Sequence, residues 1–387
     1  MSLPTSEAPR PPSVETDDLG AYLQHVVRVQ ASDLFMTVGA PPAVKVEGRM
    51  VSLGSVPLPR GAVKRLAYSV MSPTQVRDFE RDLECDLAYS VDGLGRFRFN
   101  VYVQRGEVSL VARHVRSHIP TLPELRLPPV VERLAMLRQG LVLVVGSAGS
   151  GKSTTLAAML EHRNQRAPGH ILTVEDPIEF VHEHRKCIID QREVGLDTRS
   201  FGDALRHALR EAPDVIMIGE IRDQETMQHA LHYAETGHLC VSTLHANNAN
   251  QAIERIINFF PDAARKQVLM DLSLNLKGVL AQRLVQTGNG PRVPATEVML
   301  LTAYVSELIQ KGEADELKSV IAKSVEVGMH SFDQSLFELY QRDEIGLETA
   351  LEHADSKTDL SLRIRLAAGT QDETNERLTN LRRRRIG

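Results

Sequence analysis

Eight consecutive residues, Gly146-Ser147-Ala148-Gly149-Ser150-Gly151-Lys152-Ser153, combine a lysine and a hydroxyl with glycines at the spacing Gly-x-x-x-x-Gly-Lys-Ser. They follow the apolar run Leu141 to Val145 and open a helix-compatible stretch, Thr154 to Glu161. Strand, glycine turn and helix in that order are the context a phosphate-binding loop requires. Glycines let the backbone turn tightly, so successive N–H groups and the helix N-terminus can aim at phosphate oxygens. Lys152 can then neutralise the β- and γ-phosphates of a nucleotide, and Ser153 can offer its hydroxyl to magnesium. Gly146 through Thr154 is therefore the candidate nucleotide contact. The competing reading, a Gly/Ser turn beside a surface lysine, leaves the flanking strand and helix unexplained.

A second magnesium-side group is expected where an apolar strand ends in an acid. Val215-Ile216-Met217-Ile218-Gly219-Glu220 supplies one, although Glu220 could instead pair with Arg222. Glu175-Asp176-Pro177-Ile178-Glu179 follows the strand-like Ile171 to Val174 and sets carboxylates where βα loops gather around ligands. One of them is a candidate to orient or deprotonate an attacking water, because phosphoanhydride hydrolysis asks mainly for positioning and charge stabilisation. The alternative is a capping cluster at a helix start. His238 and His245 flank the short run Leu239 to Ser242 and are candidates to touch the γ-phosphate or an adjoining carboxylate. They are not expected to chelate one metal, since residues seven apart on an extended strand are roughly 20 Å apart.

These groups need a scaffold, and the chain is long enough to bury a sizeable one: 387 residues, 42% hydrophobic, predict two domains plus tails. Residues 1–16, rich in Pro, Ser and acids, read as a disordered leader without a secretory signal. Residues 17–118 alternate a helical start with short strand-like runs and predict a small α+β domain. Four prolines, Pro120, Pro123, Pro128 and Pro129, place a linker at 119–130. From 131 to 266 strand-like and helical runs alternate, the signature of an α/β domain with a largely parallel sheet. Residues 267–358 read as mainly helical, and 359–387 as a charged tail ending in Arg382 to Arg385, either solvated or a contact for an acidic partner or membrane. The net charge of −5 excludes a globally basic nucleic-acid binder, so no nucleic-acid partner is expected. Cys85, Cys187 and Cys240 are far apart and read as reduced thiols in a cytoplasmic protein. No run approaches the roughly 18 to 20 apolar residues that span a bilayer.

The loop, Glu-Asp-Pro-Ile-Glu-Phe at 175–180, Gly219-Glu220-Ile221-Arg222-Asp223 and Thr243-Leu244-His245 together resemble the secretion-type hexameric ATPases, and among them the type IV pilus retraction ATPases. The likeness runs from Ala31-Ser32-Asp33-Leu34 to about Asp343. It implies a PAS-like N-terminal domain joined to a RecA-like P-loop motor domain in a ring of six, using ATP and Mg2+ at sites between subunits. By position it makes Glu179 the catalytic carboxylate, Glu220 the magnesium-side glutamate, and His238 and His245 the paired histidines. It also implies arginines reaching a neighbouring subunit's γ-phosphate; Arg98, Arg105 and Arg113 lie in the matching stretch, and each could equally be a surface or strand-pairing arginine.

Two departures narrow the subtype. The paired cysteines of a zinc module, usual in pilus-assembly and secretion relatives, are missing, which favours retraction. The stretch Thr302 to Ile309 lacks the basic residue of the retraction motors' Ala-Ile-Arg-Asn-Leu-Ile-like helix. With the wording Phe35 to Ala40, this resembles the accessory retraction paralogue more than the principal motor. The expected partners are further copies of the chain, a paralogous retraction ATPase and an inner-membrane pilus platform protein, to which it would be peripheral. The competing functions are a nucleotide-binding accessory subunit and a DNA-translocating ring ATPase.

Overall fold

The computed structural model describes residues 18–367 apart from Glu47, Arg116 and Asn289. The expected leader, 1–16, and the tail beyond 367 lie outside the described residues. The chain divides into two compact units, one running to His118 and including Ile178–Val181, the other comprising Ile119–Pro177 and the chain from His182 onward.

The first unit contains α1 (Leu19–Arg28), β1 (Asp33–Met36), β2 (Ala43–Val46), β3 (Arg49–Ser52), α2 (Ala62–Tyr68), α3 (Pro73–Asp82), β4 (Glu84–Val91), β5 (Gly95–Gln104) and β6 (Glu107–His114). Helix starts follow local chemistry. Asp18 accepts from the Gly20 amide ahead of α1, and Ser72 with Gln75 forms a reciprocal capping box with Pro73 at the first position of α3. The strands form an antiparallel sheet in the order β3-β2-β1-β6-β5-β4. Alternation along β5 buries Phe97, Phe99 and Val101 on one face, so Arg96, Arg98 and Asn100 take the other.

The second unit begins with α4 (Val130–Ala135), β7 (Gly140–Val145), α5 (Lys152–Arg166), β8 (Gly169–Glu175), β9 (Cys187–Glu193), α6 (Phe201–Ala208), β10 (Val215–Ile218), α7 (Gln224–Glu235) and β11 (Leu239–Leu244). It continues through α8 (Ala249–Asn258), α9 (Asp262–Asn275), β12 (Leu276–Val285), β13 (Val293–Leu300), α10 (Ala303–Lys311), α11 (Leu317–Lys323), α12 (Phe332–Gln341) and α13 (Leu347–His353). Its sheet runs β13-β12-β7-β11-β10-β8-β9 and is parallel except for the β12/β13 pair. Every residue of β7, β10 and β11 is buried, as expected for strands covered on both faces. Leu141, Leu143 and Val145 pack into the core on one side of the sheet, while Val142 and Val144 pack into the core on the other. This is the expected α/β class: a RecA-like P-loop sheet, a smaller α+β N-terminal domain and a helical C-terminal region.

Three segments differ from the sequence reading. The stretch read as mainly helical holds two strands, β12 and β13, that complete the sheet. Strand β12 follows α9 without an intervening turn and is mostly buried, so no polar alternation marks it. The prolines at 119–130 do not keep that stretch out of the core, because Leu122 and Leu127 are buried in it. The opening of the expected charged tail is also structured: residues 357–367 are helical, with Leu360 and Ile364 buried.

Candidate active site

The phosphate-binding loop joins β7, the third of the seven strands in sheet order, to α5. Its glycines are required by close approach. A Cβ at Gly146 would stand 2.4 Å from Ser150 Oγ and 2.5 Å from the Gln282 carbonyl. Gly151, at φ +92° just before α5, would bring one to 2.8 Å from the Gln282 amide nitrogen. Lys152 donates from Nζ to the carbonyls of Gly146 and Ser147, both at 2.9 Å, which holds the ammonium over the loop. Burial lowers its pKa, and the Glu220 charge opposes that shift. Ser153 and Thr154 follow on the first turn of α5, Ser153 exposed. Ser150 Oγ is buried and has no hydrogen-bond partner.

The neighbouring strands all end at this edge. Gly219 and Glu220 follow β10, His245 follows β11, and Glu175 closes β8. Glu220 accepts from Arg222 Nε at 2.9 Å through Oε2, and its Oε1 lies 3.1 Å from His245 Nε2. Glu220 thus makes the Arg222 pairing that the sequence offered as the alternative, and its charge also acts on Lys152. Arg222 also reaches Asp176 Oδ2 at 3.5 Å. Burial, followed by the Lys152 charge, lowers the His245 pKa, which favours an uncharged ring at neutral pH. Two clefts flank the loop. One of about 250 Å³ is lined by the loop with Gln282, Arg283, Arg292 and His353; the other, of about 290 Å³, is lined by His245, Asn247, Gln251 and Arg255.

His238 is not brought there within the chain. It precedes β11, its carbonyl accepts from Gly140 at the start of β7, and its Nδ1 lies 3.2 Å from Thr236 Oγ1. The strand that separates it from His245 puts it at the far edge of the sheet, so within one chain His245 stands by the loop and His238 does not. Among the clustered carboxylates, Glu175 is buried and accepts from Thr173 Oγ1 at 2.7 Å and Gln191 Nε2 at 3.2 Å. Asp176 is exposed, and Glu179 is exposed between buried Ile178 and Phe180. In the first unit, Arg98 and Arg113 are direct cross-strand neighbours on β5 and β6, and Arg113 Nε lies 2.8 Å from Asp33 Oδ1. Arg105 sits in the turn between those strands at φ +52°, exposed and roughly 20 Å along the strand from Arg98. The three do not form one cluster.

Among the described residues no group of three or more His, Cys, Asp or Glu could hold a metal, and no helix is long and apolar enough to cross a membrane. A hydroxyl and a carboxylate, Ser153 and Glu220, suit an ion that takes few hard oxygen ligands from protein and the rest from phosphate and water, as magnesium does.

Residues 126–325 match the family model described as "Type II/IV secretion system protein". The chain belongs to this family. Within the family it is 51% identical to the type IV pilus ATPase PilU of Pseudomonas aeruginosa, over 92% of this chain and 94% of that protein. It is 42% identical to the type IV pilus retraction ATPase PilT of the same organism, over 87% of this chain and 98% of that one. The solved structure of the pilus retraction motor PilT with bound ADP superposes with a TM-score of 0.83 at 41% identity, covering 89% of this chain and 99% of that one. The Legionella pneumophila ATPase DotB, another structural neighbour of this secretion family member, gives 0.73 at 26% identity over 88% of this chain and 96% of that one.

Some residues at the site escaped the motif reading. Gln282 accepts from Thr155 Oγ1 at 2.8 Å through its side chain, while its backbone crowds Gly146. A buried glutamine inside Val279-Leu280-Ala281-Gln282 was the available signal. Arg283 stacks over Phe332 and pairs with Asp355 at 2.7 Å, a contact spanning 72 residues that no local pattern announces.

Proposed function

We propose that the chain is an ATP-hydrolysing motor that works as a ring of six at the base of a type IV pilus and powers or assists its retraction. The observation that carries this reading is the wall formed by the loop lysine, Glu220 and His245 at one edge of the sheet, in a chain half identical to a type IV pilus ATPase. Loop amides and Lys152 bind the β- and γ-phosphates, and Ser150 Oγ, buried without a partner, is a further donor for a phosphate oxygen. Ser153 and Glu220 would hold a magnesium ion, which when bound neutralises charge on the phosphates. Glu179 orients the attacking water and takes its proton as the bond from the γ-phosphorus to the bridging oxygen breaks. His245 donates to Glu220 and keeps that carboxylate aimed. Arginines of the β5–β6 hairpin, from among Arg98, Arg105 and Arg113, meet the γ-phosphate of a neighbouring subunit. The ligand then binds two interface arrangements with different free energies and so biases domain motion.

The motor would act from the cytoplasm on an inner-membrane platform protein, alongside a paralogous retraction ATPase. The departure at α10, where Tyr304 is 54% exposed, supports an assisting rather than a solitary role. The test is ATP turnover by the purified chain, alone and mixed with its paralogue, together with a deletion strain. Surface pili without twitching support the reading; loss of pili overturns it in favour of extension.

A further inference from the structure

The chain leaves the sheet at Glu175, the last residue of β8, and returns at His182 on the way to β9; the six residues between include Glu179. Both stems meet one side chain. Gln191, on β9 opposite Thr173, donates from Nε2 to Glu175 Oε1 at 3.2 Å and accepts at Oε1 from the His182 amide at 2.8 Å. The orientation of its amide group is fixed by its partners, since a backbone N–H only donates and a carboxylate only accepts. Few side chains meet both demands with the same reach. A glutamate would satisfy His182 and repel Glu175; a methionine would fill the space and bond neither.

The returning stem is fastened further along. Asn164 on α5, fully buried, donates to the Glu183 carbonyl at 2.8 Å and accepts from the amides of Arg185 and Cys187 at 3.2 Å. Arg185 pairs with Glu161 at 2.8 Å. The helix that begins at Lys152 therefore holds one end of this excursion, the strand β8 carries the other, and Gln191 joins the two.

We propose that Gln191 is a positioning residue for hydrolysis: it clips the base of the 176–181 loop and so fixes where Glu179 is presented. The proposal rests on the reading of Glu179 as the water-side carboxylate. Gln191 acts through Glu175 and the His182 amide, so its loss is expected to leave binding at the phosphate loop intact and to lower turnover.

The test uses the full chain. In Gln191→Met, kcat is expected to fall about tenfold while KM for ATP and the Kd for ADP stay within about twofold. Gln191→Glu, which places two carboxylates together at the clip, should lose more. Thermal unfolding midpoints of both variants are compared with that of the unsubstituted chain, and a kcat loss in whichever keeps the midpoint supports the clip. An unchanged kcat, or a loss confined to KM, overturns it. The same substitutions in a Glu179→Asp background separate the two readings. Coupled residues give a combined loss smaller than the product of the single losses, and a fully multiplicative loss overturns the clip. Full turnover in Glu179→Gln overturns the Glu179 reading instead.

Discussion

The phosphate loop and the β5–β6 hairpin carry the two kinds of positive charge the proposed motor needs, and they are built in opposite ways. Around the loop, nearly everything is fixed inside one chain: two glycines have no room for a side chain, Lys152 is buried and doubly hydrogen-bonded, and Gln282 braces both the loop and α5. The hairpin arginines instead stand on the solvent side of a sheet whose other face is its core. Arg113 is 66% exposed although it pairs with Asp33, and Arg105 occupies a turn. Burial on this scale preorganises charge, whereas exposure leaves it for a partner to order. On the proposed reading, nucleotide binding belongs to the single subunit and turnover to what assembles around it.

The strongest test of that contrast is Lys152→Ala, which should lower ATP turnover about a thousandfold by removing a charge preorganised against the phosphates; retained activity in a phosphate-release assay would break the assignment. Glu179→Gln should lower turnover about a hundredfold with ADP affinity nearly unchanged, as expected of a general base; titration with a fluorescent ADP analogue checks this, and lost binding would move Glu179 to the structural side of the comparison. His245→Ala should cost about tenfold in kcat because Glu220 loses one of its two partners. His238→Ala, at the far edge, should stay within about twofold. Equal effects from the two histidines would mean that the far edge belongs to a site as well.

The smallest effect concerns Glu297 of β13, which caps α8 by accepting from Ala249 at 2.8 Å and whose pKa burial pushes up to about 7. The folded chain holds that proton more tightly than the unfolded one, so this group's contribution to stability declines as pH rises from about 4.5 through about 7. Glu297→Gln should therefore match the parent near pH 4.5 and melt a few degrees higher at pH 8.

How much of this was legible depended on how local the cause was. Glycines and a lysine at fixed spacing announce the loop because backbone geometry alone demands them, and the all-apolar runs of β7, β10 and β11 announce strands covered on both faces. Strand β12 was not legible, since its apolar pattern serves a covered strand as well as a helix. Spacing announced that His238 and His245 stand apart, but which of them lies by the loop needed the strand direction. Arg222, bonded to Glu220 and near Asp176, was visible as an alternative pairing but not as part of the same wall. Gln191 was invisible: its two partners are nine and sixteen residues away, and only the register of β8 against β9 brings them together.

Strand β12 lies between β7 and β13, and it supplies the glutamine that bonds Thr155 on α5 and packs against Gly146. During synthesis, every motif from Gly146 to His245 leaves the ribosome before that strand does. A nascent chain ending at Asn275 would contain all of them, yet β7 would be the outer strand of its sheet and Thr155 would have no Gln282 to bond. Ribosome-stalled chains of increasing length should therefore gain nucleotide binding in one step, after the recognisable sequence is complete, once residues 276–300 have emerged.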